Sequence, residues 1–292
     1  MTRSPLFADV ALAARIEAAE RDYVAGCVRA CPSPARVLPL AGGVALWAGD
    51  GSPLNKVAGL GFAPFDAAAE AALAEHERAL AERGAAVQVE VATLAAPALA
   101  ELLCRRGYAL VGFENVLGRR LDDLDDLDDL DPDGAAPRDA AALAVTRAAP
   151  DDDAWLEAAV AGFTAPDDAD LPAHEVFDAA SLRAVFRDTS RAAGTRRYLA
   201  RRGDVIVGSA AARLHADARV AQLSGASTLP AHRRRGVQTA LLRARLRDAA
   251  AAGCELAVVT ALPGSRSQLN IQRQGFALLY ARALLVRAAP TR

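Results

Sequence analysis

The stretch His232-Arg-Arg-Arg-Gly-Val-Gln-Thr-Ala-Leu-Leu242 runs three arginines into a glycine, and an apolar helical pattern starts directly after it. A helix N-terminus presents unpaired main-chain N–H groups and the positive end of the helix dipole. A glycine at that point lets an anion approach the main chain, and arginines add charge around it. The strand "QLSGASTLP" leads straight into this loop, so strand, Pro230, arginines, Gly236 and amphipathic helix together form a candidate pyrophosphate cradle. Neither a Walker pattern nor a dinucleotide GxGxxG accompanies it. The rival readings are a basic patch for nucleic acid and a compositional accident.

Composition weighs those rivals. Lys+Arg total 34 and Lys56 is the only lysine, so an arginine triplet by itself carries little information. The formal charge is −2 and aromatic residues make up 5%, which leaves no global field and few stacking platforms for a nucleic acid. Cys27, Cys31, Cys104 and Cys254 form no zinc spacing with His76, His174, His215 or His232, and are expected to be small buried hydrophobes with no metal. No run of 18 apolar residues occurs, and charges interrupt the apolar stretch near the N-terminus. The expectation is a cytoplasmic protein without signal peptide or membrane span.

The elements that must position the loop follow from the patterning. "LDDLDDLDDLDPDG", Leu121 to Gly134, has a three-residue period that places leucines on no stable helix face, and it reads as an acidic linker. It divides the chain into 1–120, a linker at 121–138 and 139–292. The second part predicts a strand at Leu143–Arg147, a helix opened by Asp151–Asp153, and a helix around 174–192. Three strands follow, with turns at Gly203-Asp204 and around His215 to Ala218. A long helix from about Gly236 to Ala252, a buried strand in "CELAVVT", a short helix and a last strand in "FALLYARALLVR" complete the order β-α-α-β-β-β-α-β-α-β. The first part ends the same way. Gly84 falls opposite Gly253, Val89–Val91 near Ala257–Val259, and Gly107-Tyr108 opposite Gly275-Phe276, which points to an internal duplication.

With these residues in place the second half resembles the Gcn5-related N-acetyltransferases. Leu229-Pro230 followed by Arg233-Arg234-Arg235-Gly236-Val237-Gln238 is similar to that family's acetyl-CoA loop, Arg/Gln-x-x-Gly-x-Gly/Ala. Arg273 to Phe276, "RQGF", resembles its late Gly-Phe signature. Gln238 departs from the pattern, standing where the family has Gly or Ala. The resemblance covers about 140–290 and reaches the first half only through the duplication. It implies an α+β protein of α/β-type three-layer build. Its two domains would each carry a mixed, mostly antiparallel sheet flanked by helices, and the N-terminal one would lack the loop.

The resemblance also implies a site. Leu229, Arg233, Arg234, Arg235, Gly236, Val237, Gln238, Thr239 and Asn270 would bind acetyl-CoA as co-substrate. Pantetheine would lie along the main chain of Leu223–Leu229. A main-chain amide near Ser227 or Thr228 would face the thioester carbonyl as oxyanion contact. The acceptor would be an amine of a small molecule or peptide, with neither nucleic acid nor membrane as partner, in a monomer or homodimer. The acid–base pair stays open. The family's Tyr position holds Ile271, and the strand "VAQLSGASTL" has no carboxylate. Glu114, Glu175, Asp178 or water could act as base; Tyr280 reads as a core residue and His215 as a turn residue, while His232 lies close to the loop. In the first half, Phe62, Pro64, Phe65 and Asp66 crowd the equivalent helix start, and Asn55-Lys56 reads as a hairpin cap. The alternative function is a non-catalytic acyl-CoA sensor or partner-binding module.

Overall fold

The computed structural model describes residues 6–32, 35–122, 143–149, 151–165 and 178–289. Nearly all of the expected acidic linker, and Glu175, lie outside them. The chain forms two compact units. One is built on Ala8–Asn115 and also takes in the chain from Tyr280 onward; the other is built on the residues between Val116 and Leu279.

The N-terminal unit opens with α1 (Val10–Ala30), whose first turn is closed by Asp9 accepting from the Leu12 amide. β1 (Arg36–Leu40), β2 (Gly43–Trp47) and β3 (Val57–Ala58) pair antiparallel in succession. Then come α2 (Ala67–Ala81), β4 (Val87–Ala92), α3 (Pro97–Arg105) and β5 (Ala109–Arg120). β3 and β4 run parallel, with Val57 opposite Val89. Asn55 closes the β2–β3 connection: its Oδ1 accepts from the Ala48 amide at 2.7 Å and its Nδ2 donates to the Gly49 carbonyl at 2.6 Å.

In the C-terminal unit the order is β6 (Leu143–Ala148), α4 (Asp153–Phe163), α5 (Ala179–Arg191), β7 (Thr195–Arg202), β8 (Val205–His215), β9 (Val220–Thr228), α6 (Val237–Ala251), β10 (Leu256–Ala261), α7 (Arg266–Arg273) and the start of β11 (Ala277–Arg287). β6 to β9 form an antiparallel meander, and β10 joins β9 in parallel. Strand alternation sends neighbouring side chains into two cores. Ala210, Ala212 and Leu223 meet Leu241, Leu242 and Leu246 of α6 with Ile271 and Phe276, while Leu199 and Ala211 meet Trp155, Leu156 and Val160 of α4. Helices thus cover both faces of this sheet, and the three-layer α+β build is observed.

The duplication shows in how helices end. After α2, the Ala85 amide donates to the Leu80 carbonyl and Gly84 sits at φ 70°; after α6, the Cys254 amide donates to Ala249 and Gly253 sits at φ 81°. After α3, Tyr108 donates to Leu103 with Gly107 at φ 86°; after α7, Phe276 donates to Ile271 with Gly275 at φ 79°. Each is a left-handed C-terminal cap that glycine adopts without a Cβ penalty.

The two units are not sequential blocks. β11 pairs its later residues with β4, Arg282 opposite Ala92 through Arg287 opposite Val87, within the N-terminal unit. β5 gives its last residues to the other unit, where Leu117 joins the core and the Leu121 amide donates to the Glu255 carbonyl at 2.9 Å. Both strands are long, at 12 and 11 residues, and each carries buried apolar positions for two cores.

Candidate active site

β9 leaves β10 early. Their ladder ends at Leu223 opposite Val259, while β9 continues against β8 to Thr228. The β8 register slips between Ser209, opposite Ser227, and Ala211, opposite Ser224, so β9 holds one extra residue, and Gly225 there takes φ 58°. This is a β-bulge with glycine in the left-handed region. Past it, among the described residues, the β10-facing edge of β9 is main chain outside the β9–β10 ladder, the feature that an extended ligand can pair with.

Two contacts fix the bulge. From α6, Arg245, 3% exposed, donates from Nε to the Leu241 carbonyl at 3.1 Å and from Nη1 to the carbonyls of Ala211 (3.3 Å) and Ser224 (3.5 Å), the pair at which the register slips. Burial pulls its pKa down to about 10. From the other face, Ser227 Oγ donates to the Ala158 carbonyl at 3.2 Å and lies 3.1 Å from Ser209 Oγ. α4 comes this close because residue 162 is glycine: a Cβ there would stand 2.3 Å from that of Ser227. The Ser227 hydroxyl is therefore committed to packing, which leaves its main chain for the expected oxyanion role.

From Thr228 the chain passes through a 3-10 turn at Pro230–His232 into the arginines. Arg233 turns back onto main chain, with Nε donating to the Thr228 carbonyl at 3.3 Å and Nη2 to that of Ala165. Arg234 and Arg235 are exposed, and Arg202 donates to the Arg235 carbonyl at 2.9 Å. Arg234 takes φ 58° and Gly236 φ 75°. Gly236 caps α6 with no side-chain bond, and the first intrahelical bond runs from Ala240 N to Gly236 O at 3.0 Å. The amides of Val237, Gln238 and Thr239 precede that bond and have no helical acceptor. Nothing lies within 4 Å of where a Cβ on Gly236 would stand. The Val237 side chain is core, 2% exposed, so only its main chain can serve a ligand.

Gln238 and Asn270 meet: Asn270 Nδ2 donates to Gln238 Oε1 at 2.6 Å, joining the first turn of α6 to α7. The extra bulk of Gln238 thus has a partner inside the same unit.

The N-terminal unit supplies the internal contrast. Asp66 caps α2, its Oδ1 accepting from the Ala69 amide at 2.9 Å, so a carboxylate already stands at that helix start. Gly61, at φ 91°, has no room, since a Cβ would lie 2.6 Å from that of Ala95. Among the described residues of that unit the arginine loop has no counterpart.

The remaining candidates divide. Asp178 is the N-cap of α5, accepting from the Ser181 amide at 2.8 Å; that bond holds its carboxyl below the usual range. Ile271 is buried core. His215 ends β8. Tyr280 is buried in the N-terminal unit, donating to Glu17 Oε1 at 2.7 Å, and burial with the Glu17 charge pushes its pKa up. Glu114 is also in that unit, half-buried, its carboxyl pushed up to about 7 by burial and then by Glu90. Asp248, the carboxylate beneath β7, accepts from Tyr198 at 2.8 Å and Arg147 at 2.7 Å. Sequence reading missed Gly225 and Arg245. A glycine inside a strand signals a bulge, so Gly225 was accessible. Arg245 stands at helical spacing with Leu241, Leu242 and Leu246, which places it on the apolar face of α6, but nothing in the sequence shows that it reaches the carbonyls of the bulge.

The fold of this unit is that of a GNAT domain. Residues 157–276 match the model of the acetyltransferase (GNAT) family. Over 96% of both chains the structure resembles a GCN5-related N-acetyltransferase from Kribbella flavida, at 25% identity and a TM-score of 0.64. A tandem GNAT protein from the clavulanic acid biosynthesis pathway matches over 99% of this chain and 98% of its own, at 17% identity and a TM-score of 0.60. A GCN5-related N-acetyltransferase from Sphaerobacter thermophilus matches over 75% and 67%, at 16% identity and a TM-score of 0.50. No curated protein matches the chain. The segment 157–276 belongs to the GNAT family, and the whole chain has the fold of a tandem GNAT protein. Among the described residues no helix is long and apolar enough to cross a membrane.

Proposed function

We propose that this protein is an acetyl-CoA-dependent N-acetyltransferase with a single working site in its C-terminal unit, acting on an amine of a small molecule or peptide. The observation that supports it is the pairing, within one unit, of a glycine-capped helix start with the free main-chain edge of β9 beyond the Gly225 bulge. Acetyl-CoA would supply the activated acetyl group. The amides of Val237, Gln238 and Thr239, with the Arg234 and Arg235 side chains, would hold its pyrophosphate, and Arg233 would order the loop through Thr228. The β9 main chain as far as Leu229 would hold the pantetheine, and an amide near Ser227 or Thr228 would polarise the thioester carbonyl.

The test is calorimetric titration with acetyl-CoA, followed by thiol release assayed over a panel of amines. Saturable binding and amine-dependent release are the expected results. One observation favours a second reading, a non-catalytic acyl-CoA sensor: β9 offers no carboxylate, and Ile271 stands in place of a tyrosine. Binding without release over the whole panel would select that reading, and no binding would remove both.

The Gln238–Asn270 bond gives a further expected result. Gln238→Ala frees the Asn270 amide for a ligand and empties a slot beside the cradle. Acetyl-CoA affinity should rise by about three- to tenfold, the worth of one hydrogen bond. Weakened binding would show instead that the pair is part of the cradle.

A further inference from the structure

α2 and α6 end in matching caps, the Ala85 amide on the Leu80 carbonyl and the Cys254 amide on that of Ala249. Counting back from those caps, Leu73 matches Leu242, Leu80 matches Ala249 and His76 matches Arg245, and all six residues are buried. The two helices therefore bury the same face, but at one position they differ in kind. Burial pulls the His76 imidazole below its ordinary pKa, so it is neutral at pH 7, and its Nε2 has no hydrogen-bond partner among the described residues. At the same place α6 buries a cation.

A buried charge is costly unless an opposite charge or hydrogen bonds offset it. Among the described residues no carboxylate is paired with Arg245; burial lowers its pKa, and the Tyr198 hydroxyl is the one group acting against that. What Arg245 meets instead is the β9 bulge. The register sets Ser209 opposite Ser227 and Ala211 opposite Ser224, so Ala210 alone faces both Gly225 and Ala226. The carbonyls of this misfit are taken up from both helical layers. From α4, Trp155, 2% exposed, donates from Nε1 to the Ala210 carbonyl at 3.0 Å. From α6, Arg245 Nη1 donates to the Ala211 and Ser224 carbonyls at 3.3 and 3.5 Å, one on each strand.

Trp155 shows that a neutral donor can satisfy such a carbonyl, so hydrogen bonding alone does not account for a guanidinium here. The N-terminal unit differs again. Its β2 and β3 keep one register, Val44 opposite Ala58 and Ala45 opposite Val57, with no bulge among the described residues. Bulge and buried cation thus occur together in the unit that has the arginine loop, and the described residues of the other unit have neither.

Past the bulge the Leu229 amide donates to the Val207 carbonyl at 3.0 Å. Main-chain direction alternates along a strand, so the Thr228 amide faces away from β8, toward the open edge. We propose that Arg245 is a positioning residue for the thioester of bound acetyl-CoA: it holds the bulge by one carbonyl on each strand, which aims the amides beyond Gly225 at the ligand, and its charge favours the negative charge drawn onto the thioester oxygen. A fixed charge in a dry interior is screened far less than one in water. This role rests on acetyl-CoA binding at the cradle, as proposed above, but not on turnover, so it applies to a sensor as well as to an enzyme.

Infrared difference spectroscopy of acetyl-CoA carrying a 13C thioester carbonyl, bound to the full-length protein at pH 8, reads that carbonyl directly. The wild type should lower its stretching frequency relative to free acetyl-CoA. Arg245→His, which installs the neutral residue that α2 accepts at this position, should return the frequency toward its free value. Calorimetry should still give an acetyl-CoA affinity within about threefold of wild type, because the cradle amides are untouched. Arg245→Lys keeps the charge and should keep most of the shift. In the amine-dependent assay Arg245→His should lower kcat by about ten- to a hundredfold at an unchanged KM for acetyl-CoA. A residue needed only for packing would instead lose affinity and urea midpoint together. That parallel loss, an unshifted carbonyl in bound wild type, equal frequencies in wild type and Arg245→His, or a folded Arg245→Lys without the shift would each overturn the proposal and spare the acetyl-CoA reading. Failure of the wild type to bind acetyl-CoA would remove that reading, and this role with it.

Discussion

Gly236→Asp should weaken acetyl-CoA binding by at least about a hundredfold and abolish any acetyl transfer while leaving the protein folded. Gly236 caps α6 at φ 75°, and nothing beyond its chain neighbours lies within 4 Å of where a Cβ would stand. It would occupy the approach to the amides of Val237, Gln238 and Thr239. An aspartate there adds a charge of the ligand's own sign, and two unit charges about 4 Å apart repel by about 4 kcal/mol in partly screened surroundings. Gly236→Asn separates charge from bulk and strain, because asparagine is nearly isosteric and, like aspartate, tolerates the left-handed region. Both variants should lose about 1 kcal/mol of stability or less from backbone strain, but Gly236→Asn should keep much more of the binding. Calorimetry with acetyl-CoA, with urea unfolding as control, reads both quantities. Equal loss in the two variants would assign the effect to bulk at the helix start, and wild-type binding in Gly236→Asp would move the pyrophosphate site elsewhere.

The same glycine shows how far local pattern reaches. Its place between a strand and an amphipathic helix was legible because both elements announce themselves by period, and Gly84, Gly107, Gly253 and Gly275 marked helix ends that share left-handed geometry. What stayed hidden depends on contacts remote in sequence. Arg245 shares the apolar face of α6 with Leu241 and Leu242, but nothing local says that its guanidinium meets the carbonyls of the β9 bulge. Glu17 and Glu20 read as ordinary charges of an amphipathic helix until Arg282, some 260 residues later, is placed against them. The sharing of β5 and β11 between units was hidden for the same reason, since a strand's pattern reports which faces are buried and not which sheet edge it joins. Gln238 lay between these cases: its departure was visible, but its partner Asn270 was found only in three dimensions.

Arg282→Met should be the most destabilising of these substitutions, at about 3–5 kcal/mol, because it removes one partner of a buried charge set and leaves the others in place. Arg282 is 1% exposed, and the surrounding carboxylates hold its guanidinium well above its usual pKa despite burial. Without it, Glu17 still accepts from the Tyr280 hydroxyl at 2.7 Å and Glu20 still faces Lys56 at 3.5 Å, but both lose the guanidinium. Methionine fills much of the volume and is as apolar as the site allows, so the effect isolates charge from packing. Adding Glu17→Gln removes one of the stranded charges. The double variant Arg282→Met/Glu17→Gln should accordingly recover about 1–2 kcal/mol relative to Arg282→Met, a coupling that a double-mutant cycle in urea can read. If Arg282→Met unfolds at the wild-type midpoint, water must already reach Glu17 and Glu20, and the charges of this unit would not need one another. A large loss with no recovery in the double variant would place the role of Arg282 in packing against β4 and not in neutralising α1.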